Sequence, residues 1–172
     1  LPCIHFSGRL AHEKIFAAHP LMTFSYTLYD KYFYPEIPFV TERGQPNFQK
    51  LFPELKNPSY QIYAHQKAYY HALCTMAGNF ATLLWSGVTP NVKSLGLPKE
   101  ILNPYILQVT KNFMSSGENS LTGPLARGDK KTIHEHLNAL QDTDLQPLYY
   151  SFLNQYQKRA PSPQTPTPGD FI

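Results

Sequence analysis

Between His65 and Ser86 the chain reads HQKAYYHALCTMAGNFATLLWS, and no other stretch restricts the fold as strongly. At about 100° per residue, Lys67, His71, Cys74, Thr75, Gly78, Asn79 and Thr82 fall within about a third of a helix circumference. Ala68, Tyr69, Ala72, Leu73, Met76, Phe80, Leu83 and Leu84 cover much of the rest. A helix that is apolar over most of its surface is normally buried, so a lysine, a histidine and an asparagine on one line need partners or a wet cleft. The spacing predicts one long helix, with strands and loops before it and helices after it.

Ahead of this helix, CIHFS at residues 3–7 is an apolar-rich run stopped by Gly8. Arg9 to Ala17 reads as one short helix, and HPLMTF as a second strand. Residues 25–36 form a tyrosine-rich loop ending in Pro35, IPFVTE alternates as a strand, and Pro46 opens a helix through Leu55 that Pro58 closes. YQIYA adds one more strand. This α/β layer has few strands and at least one open edge. The chain starts at Leu1 and Pro2, without an initiator methionine, and runs directly into a strand, so a fragment is expected.

Past the central helix, Gly87 and Pro90 loosen its end, and GLPKE puts a proline at the first turn of the next, which extends to about Ser115 with a kink at Pro104. Asp129 is a plausible N-cap for KKTIHEHLNAL, and Asp144 starts a last helix. The tail APSPQTPTPGDFI is too poor in apolar residues to offset its ordering entropy.

The net charge of +3 is spread thinly, with no run of Lys or Arg longer than two, which argues against nucleic acid and a polybasic membrane surface. No apolar run approaches the roughly 18 residues of a membrane span. Cys3 and Cys74 make neither metal-ligand spacing nor a disulfide framework, so no metal is expected and a reducing, cytoplasmic setting is.

Lys67 and His71 are the first candidates for chemistry, because residues four apart on one helix face can reach the same small ligand. A semi-buried lysine or a histidine near neutrality can exchange a proton with a substrate oxygen or nitrogen; the plain alternative is a solvated lysine and a core histidine bonded to a carbonyl. Asn79 continues the line and suits a substrate carbonyl or an interhelix bond equally. In LTGPLARGD, Thr122 and Arg127 stand in a glycine-rich turn where an arginine can bind a carboxylate or phosphate bidentately, or simply pair with Asp129. His5, Ser7, Gly8 and His19 fall at strand ends, the usual ligand side of an α/β layer. Neither a Gly-x-Gly-x-x-Gly loop nor a Walker loop occurs.

Taken in order, IHFSG, HPLMTF, HQKAYYHALCTMAGNF and LTGPLARGD resemble an uncharacterised bacterial family in which a Rossmann-like NADP-oxidoreductase domain precedes a helical domain of unknown function. That helical domain is similar to the dimer-forming domains of pyrroline-5-carboxylate reductase, ketopantoate reductase and the 6-phosphogluconate dehydrogenase group. The match covers roughly residues 3–157. It implies NADP as cofactor, with NAD as the alternative, and places Ser7, Gly8, His19 and Pro20 beside cofactor and substrate. Lys67 looks like the helix lysine that moves the proton, but the asparagine expected four residues later is His71, which leaves the assignment open between the two. The strand, glycine-rich loop and helix that hold a pyrophosphate are not in this sequence.

The expected architecture is an α/β remnant of a Rossmann-like domain at 1–64, an all-α domain resembling the 6-phosphogluconate dehydrogenase C-terminal domain at 65–158, and a disordered tail at 159–172. The expected activity of the complete protein is hydride transfer between NADP(H) and a small carbonyl, imine or hydroxy acid. Lys67 or His71 would move the proton, and Asn79, Thr122 and Arg127 would contact substrate. A homodimer through the helical domain is the expected assembly, and a dimerisation or ligand-sensing module without turnover is the alternative.

Overall fold

In the computed structural model, residues 3–159 are described; the tail expected to be disordered lies outside them from residue 160 on. Four strands, β1 (Ile4–His5), β2 (Phe16–Pro20), β3 (Phe39–Glu42) and β4 (Ser59–Ile62), form one sheet in sequence order. β1 runs parallel to β2, β2 antiparallel to β3, and β3 parallel to β4. The register pairs His19 with Val40 and Glu42 with Ile62. Helices follow, so the expected order, an α/β layer and then helices, holds.

The strand β2 is FAAHP rather than HPLMTF. Beyond Pro20 a single further ladder bond forms, from the Leu21 N–H to the Pro38 carbonyl, before the chain turns away. The short helix expected at 9–17 is absent. Side chains there take the backbone donors a helix would use: the Ser7 hydroxyl accepts from the Arg9 and Leu10 N–H groups, and His12 Nδ1 accepts from the Lys14 N–H. IPFVTE is a strand as expected, at β3. The helix expected from Pro46 is the single turn α1 (Phe48–Leu51), capped by Asn47, whose side chain accepts from the Lys50 N–H. It presses Phe48 onto Phe39 with ring centroids 4.2 Å apart. Ala17, Ala18, Ile37, Val40 and Phe48 are the buried apolar residues of this part of the chain.

The long helix begins after a 3₁₀ turn at Ala64–Gln66 and comprises α2 (Lys67–Thr75), a π-helical turn (Met76–Phe80) and α3 (Ala81–Ser94). It does not loosen at Gly87 and Pro90; α3 runs through both. Pro90 removes one helical donor, and on either side of it the Thr89 hydroxyl bonds the Trp85 carbonyl and the Asn91 amide bonds the Gly87 carbonyl. The next expected helix divides into a 3₁₀ turn (Lys99–Leu102), with Pro98 as its cap, and α4 (Asn103–Ser116). Pro104 falls in the first turn of α4, where an N–H has no helical acceptor, so no kink is needed.

After α4 come α5 (Gly123–Arg127), α6 (Lys130–Ala139) and α7 (Leu145–Arg159). Asp129 caps α6 as expected, accepting from the Thr132 N–H. The chain clusters into two compact units, Leu1–Leu84 and Trp85–Ile172. The second has a small core of Ile133, Leu137 and Leu153, flanked by Leu125, Tyr149 and Tyr150. None of the helices among the described residues is long and apolar enough to cross a membrane.

Candidate active site

The first unit gathers most of the residues singled out by sequence. Ser7 and Gly8 follow β1, His19 and Pro20 end β2, and Lys67 and His71 lie on the first turns of α2. Gly8 is buried against two imidazoles. A Cβ built on it would lie 2.5 Å from His71 Cδ2 and 2.9 Å from His19 Nε2, so only glycine lets the chain pass here. The His19 and His71 rings meet edge to face with centroids 6.0 Å apart. His19 Nδ1 is hydrogen-bonded to the Tyr70 hydroxyl at 2.8 Å, which fixes the ring and leaves Nε2 turned towards Gly8.

Burial, then the charges of His71 and Lys67, lowers the pKa of His19 below the usual histidine value. Burial also raises the Tyr70 phenol well above its ordinary range, reinforced by a hydrogen bond with Cys74. At neutral pH His19 is therefore an uncharged imidazole held by an un-ionised phenol, touching a second imidazole. Such a set can take up or release one proton at a time, which is what general acid or base catalysis requires.

Lys67 has a different setting. Its ammonium forms an ion pair with Glu42 Oε1 at 2.7 Å, with both side chains 5% exposed. Glu42 Oε2 in turn accepts from Gln45 Nε2 at 3.3 Å, and Gln45 Oε1 accepts from the Ala17 N–H. The partner that the polar line on the helix demands is thus a carboxylate in the sheet, and Lys67 does not front a wet cleft. His5 lies in the same electrostatic neighbourhood: burial, then the charge of Lys67, lowers its pKa. Its Nδ1 accepts from the Ser7 N–H, and its buried Nε2 has no protein partner.

Glu42, Tyr70 and Gln45 are the residues that sequence reading passed over as members of this cluster. For Glu42 a signal existed, since a carboxylate that ends an otherwise apolar strand such as IPFVTE needs a cation when buried.

Asn79 is exposed in the π-helical turn. Thr122 and Arg127 belong to the second unit, where Thr122 is the N-cap of α5 and Arg127 lies in its last turn, both exposed. Gly123 and Gly128 hold φ of +85° and +65°, and Gly128 closes α5 in the left-handed region. Arg127 lowers the Asp129 pKa only after the bonds from Thr132. Among the described residues no three His, Cys, Asp or Glu side chains converge as a metal set.

Comparison with solved structures gives the fold. The "putative NADP oxidoreductase BF3122" from Bacteroides fragilis superposes with a TM-score of 0.74 at 22% identity, over 91% of this chain and 64% of that one. Protein TM1727 from Thermotoga maritima gives 0.75 at 26% identity, over 91% and 68%. This chain thus spans somewhat under two thirds of the length of the B. fragilis protein. With the four-stranded sheet and the helices after it, these matches define a Rossmann-like α/β part with a helical part. No curated protein matches the chain. The family model for the domain of unknown function DUF2520 matches residues 40–155, so the chain belongs to that family.

Proposed function

We propose that the protein is an NADP-linked oxidoreductase acting on a small carbonyl, imine or hydroxy acid, and that this chain supplies its proton-handling part. The observation that carries the reading is the burial of Gly8 against His19 and His71 at the strand ends, where α/β folds bind their ligands. The name of the B. fragilis protein supports the choice of NADP(H), with NAD(H) as the alternative. The residues present do not fit the whole cofactor. No Gly-x-Gly-x-x-Gly turn occurs in the sequence to take a pyrophosphate.

Within this chain, His71 moves the proton. Of the two residues left open by sequence, Lys67 is committed to Glu42 and His71 is in contact with the strand-end glycine. The Tyr70 hydroxyl holds the second imidazole, that of His19, beside it. Ser7, Gly8, His19 and Pro20 would form the wall beside nicotinamide and substrate, and Asn79 remains a proposed substrate contact. A cytoplasmic location fits the two free cysteines.

A second reading, a dimerisation or ligand-sensing module, has its own support. Tyr105, Phe113 and Phe152 in the second unit are more than half exposed, and Leu148 is also exposed. Large apolar side chains left exposed in this way favour an interface, and the proposed occupant is a second copy of the chain. Turnover separates the two readings. The natural protein, given NADPH and a panel of small aldehydes, 2-oxo acids and cyclic imines, is expected to oxidise the cofactor with at least one of them. No oxidation with any, combined with a stable dimer, favours the module.

A further inference from the structure

The first unit contains a concavity lined in part by Pro20, the residue after His19 at the end of β2. It has a volume of about 650 Å³ and opens between the start of β3, the chain following β1, and the loops 21–37 and 52–57. This is within the size range of small-molecule sites. Its walls are aromatic. Phe39 is braced from behind by Phe48 with centroids 4.2 Å apart, Phe6 stacks on Phe52 at 6.4 Å, and Phe24 and Tyr34 both lean on Tyr29.

The polar groups around it are largely spoken for. The buried Asn57 amide donates to the Tyr34 and Ile37 carbonyls at 2.7 and 2.9 Å, and the Tyr34 hydroxyl accepts from the Tyr29 N–H. A ligand here meets ring faces and satisfied amides, which favours a flat apolar body over a sugar or a polyol. The lining also holds two lysines, Lys31 and Lys56, against one carboxylate, Glu54. Neither lysine is in an ion pair among the described residues; Lys31 has only the Tyr32 ring, 4.9 Å from its ammonium.

We propose that this cavity binds a flat, apolar ring compound carrying one carboxylate or sulfonate, its rings between the aromatic walls and its anion towards Lys31 and Lys56. The cavity shares Pro20 with the wall proposed beside substrate, but ligand binding in it needs no reaction at the histidine pair. Calorimetry of the chain with 2-naphthoate and with uncharged naphthalene-2-methanol tests it, together with amide-shift mapping on the unmodified protein. The acid is expected to bind more tightly than the alcohol, with shifts at Phe6, Lys31 and Lys56. Phe24→Ala, at a half-exposed position that leaves folding intact, weakens both ligands, and Lys31→Glu with Lys56→Glu weakens the acid alone, by about tenfold. Equal affinity for acid and alcohol, shifts confined to the exposed helix faces, or binding indifferent to both variants would overturn the assignment.

Discussion

Glu42 on β3 and Lys67 at the start of α2 are joined at 2.7 Å, with each side chain 5% exposed, so the first turn of the long helix is pinned to the sheet by a buried ion pair. Removing one member strands the other charge in the interior. Glu42→Leu or Lys67→Met alone is expected to cost about 3–5 kcal/mol, while the double substitution is close to neutral, because it removes the desolvation penalty along with the attraction. Urea denaturation of the three variants measures this. Single variants within about 1 kcal/mol of the parent would show that the pair is open to water.

Gly8→Ala places a methyl group inside the His71 and His19 rings, at 2.5 and 2.9 Å. His19 is tethered to Tyr70, so the rings have little room to yield. A loss of about 1–3 kcal/mol, the usual cost of overpacking, is expected. Shifted ring resonances of both histidines should accompany it, and unchanged resonances would contradict the contact.

Protonation should act against this fold. His5 and His19 both have pKa values lowered in the folded state, mainly by burial. Below the unfolded histidine value of about 6.5, the unfolded chain therefore binds more protons than the folded one, and stability rises with pH across that window. The contribution is present in full above about pH 6.5 and is lost as pH falls through the folded values. Melting temperatures between about pH 7.5 and 5.5 test this. His19→Gln is expected to flatten the slope, and a slope of opposite sign would mean that His19 gains an anionic partner.

Local features of the fold were legible because their causes are local. Asp129 caps α6 through its own Thr132, and the apolar coverage of 65–86 makes a helix whatever surrounds it. Arg9–Ala17 misled because Ser7 and His12 capture backbone donors there, a competition that residue periodicity does not register. The site was half legible. The line Lys67, His71 could be read from the helix alone, but Glu42 and Gly8 reach it from the sheet, across sequence separations that no spacing rule covers. The π-helical turn that leaves Asn79 exposed was equally invisible, since it interrupts the 3.6-residue period that placed Asn79 on the His71 line.

The exposed apolar side chains of the second unit predict association. Light scattering at low micromolar concentration is expected to give the mass of a dimer, and Tyr105→Glu with Phe113→Glu, both at exposed positions, to give a monomer with an unchanged helical signal. A monomer mass for the unsubstituted chain would remove the dimer from the account.

We propose that His71, and not Lys67, moves the proton. The most direct test is the turnover, across pH, of the natural protein on whichever small carbonyl or imine it reduces, compared with His71→Asn and with the paired Glu42→Leu, Lys67→Met variant. Asparagine keeps a polar side chain but cannot exchange a proton, so His71→Asn should lower turnover about 10²–10⁴-fold. The paired variant, which lacks the ammonium but leaves no stranded charge, should retain most of the rate. Full turnover in His71→Asn, with loss in the paired variant, would contradict the claim and return the proton to Lys67.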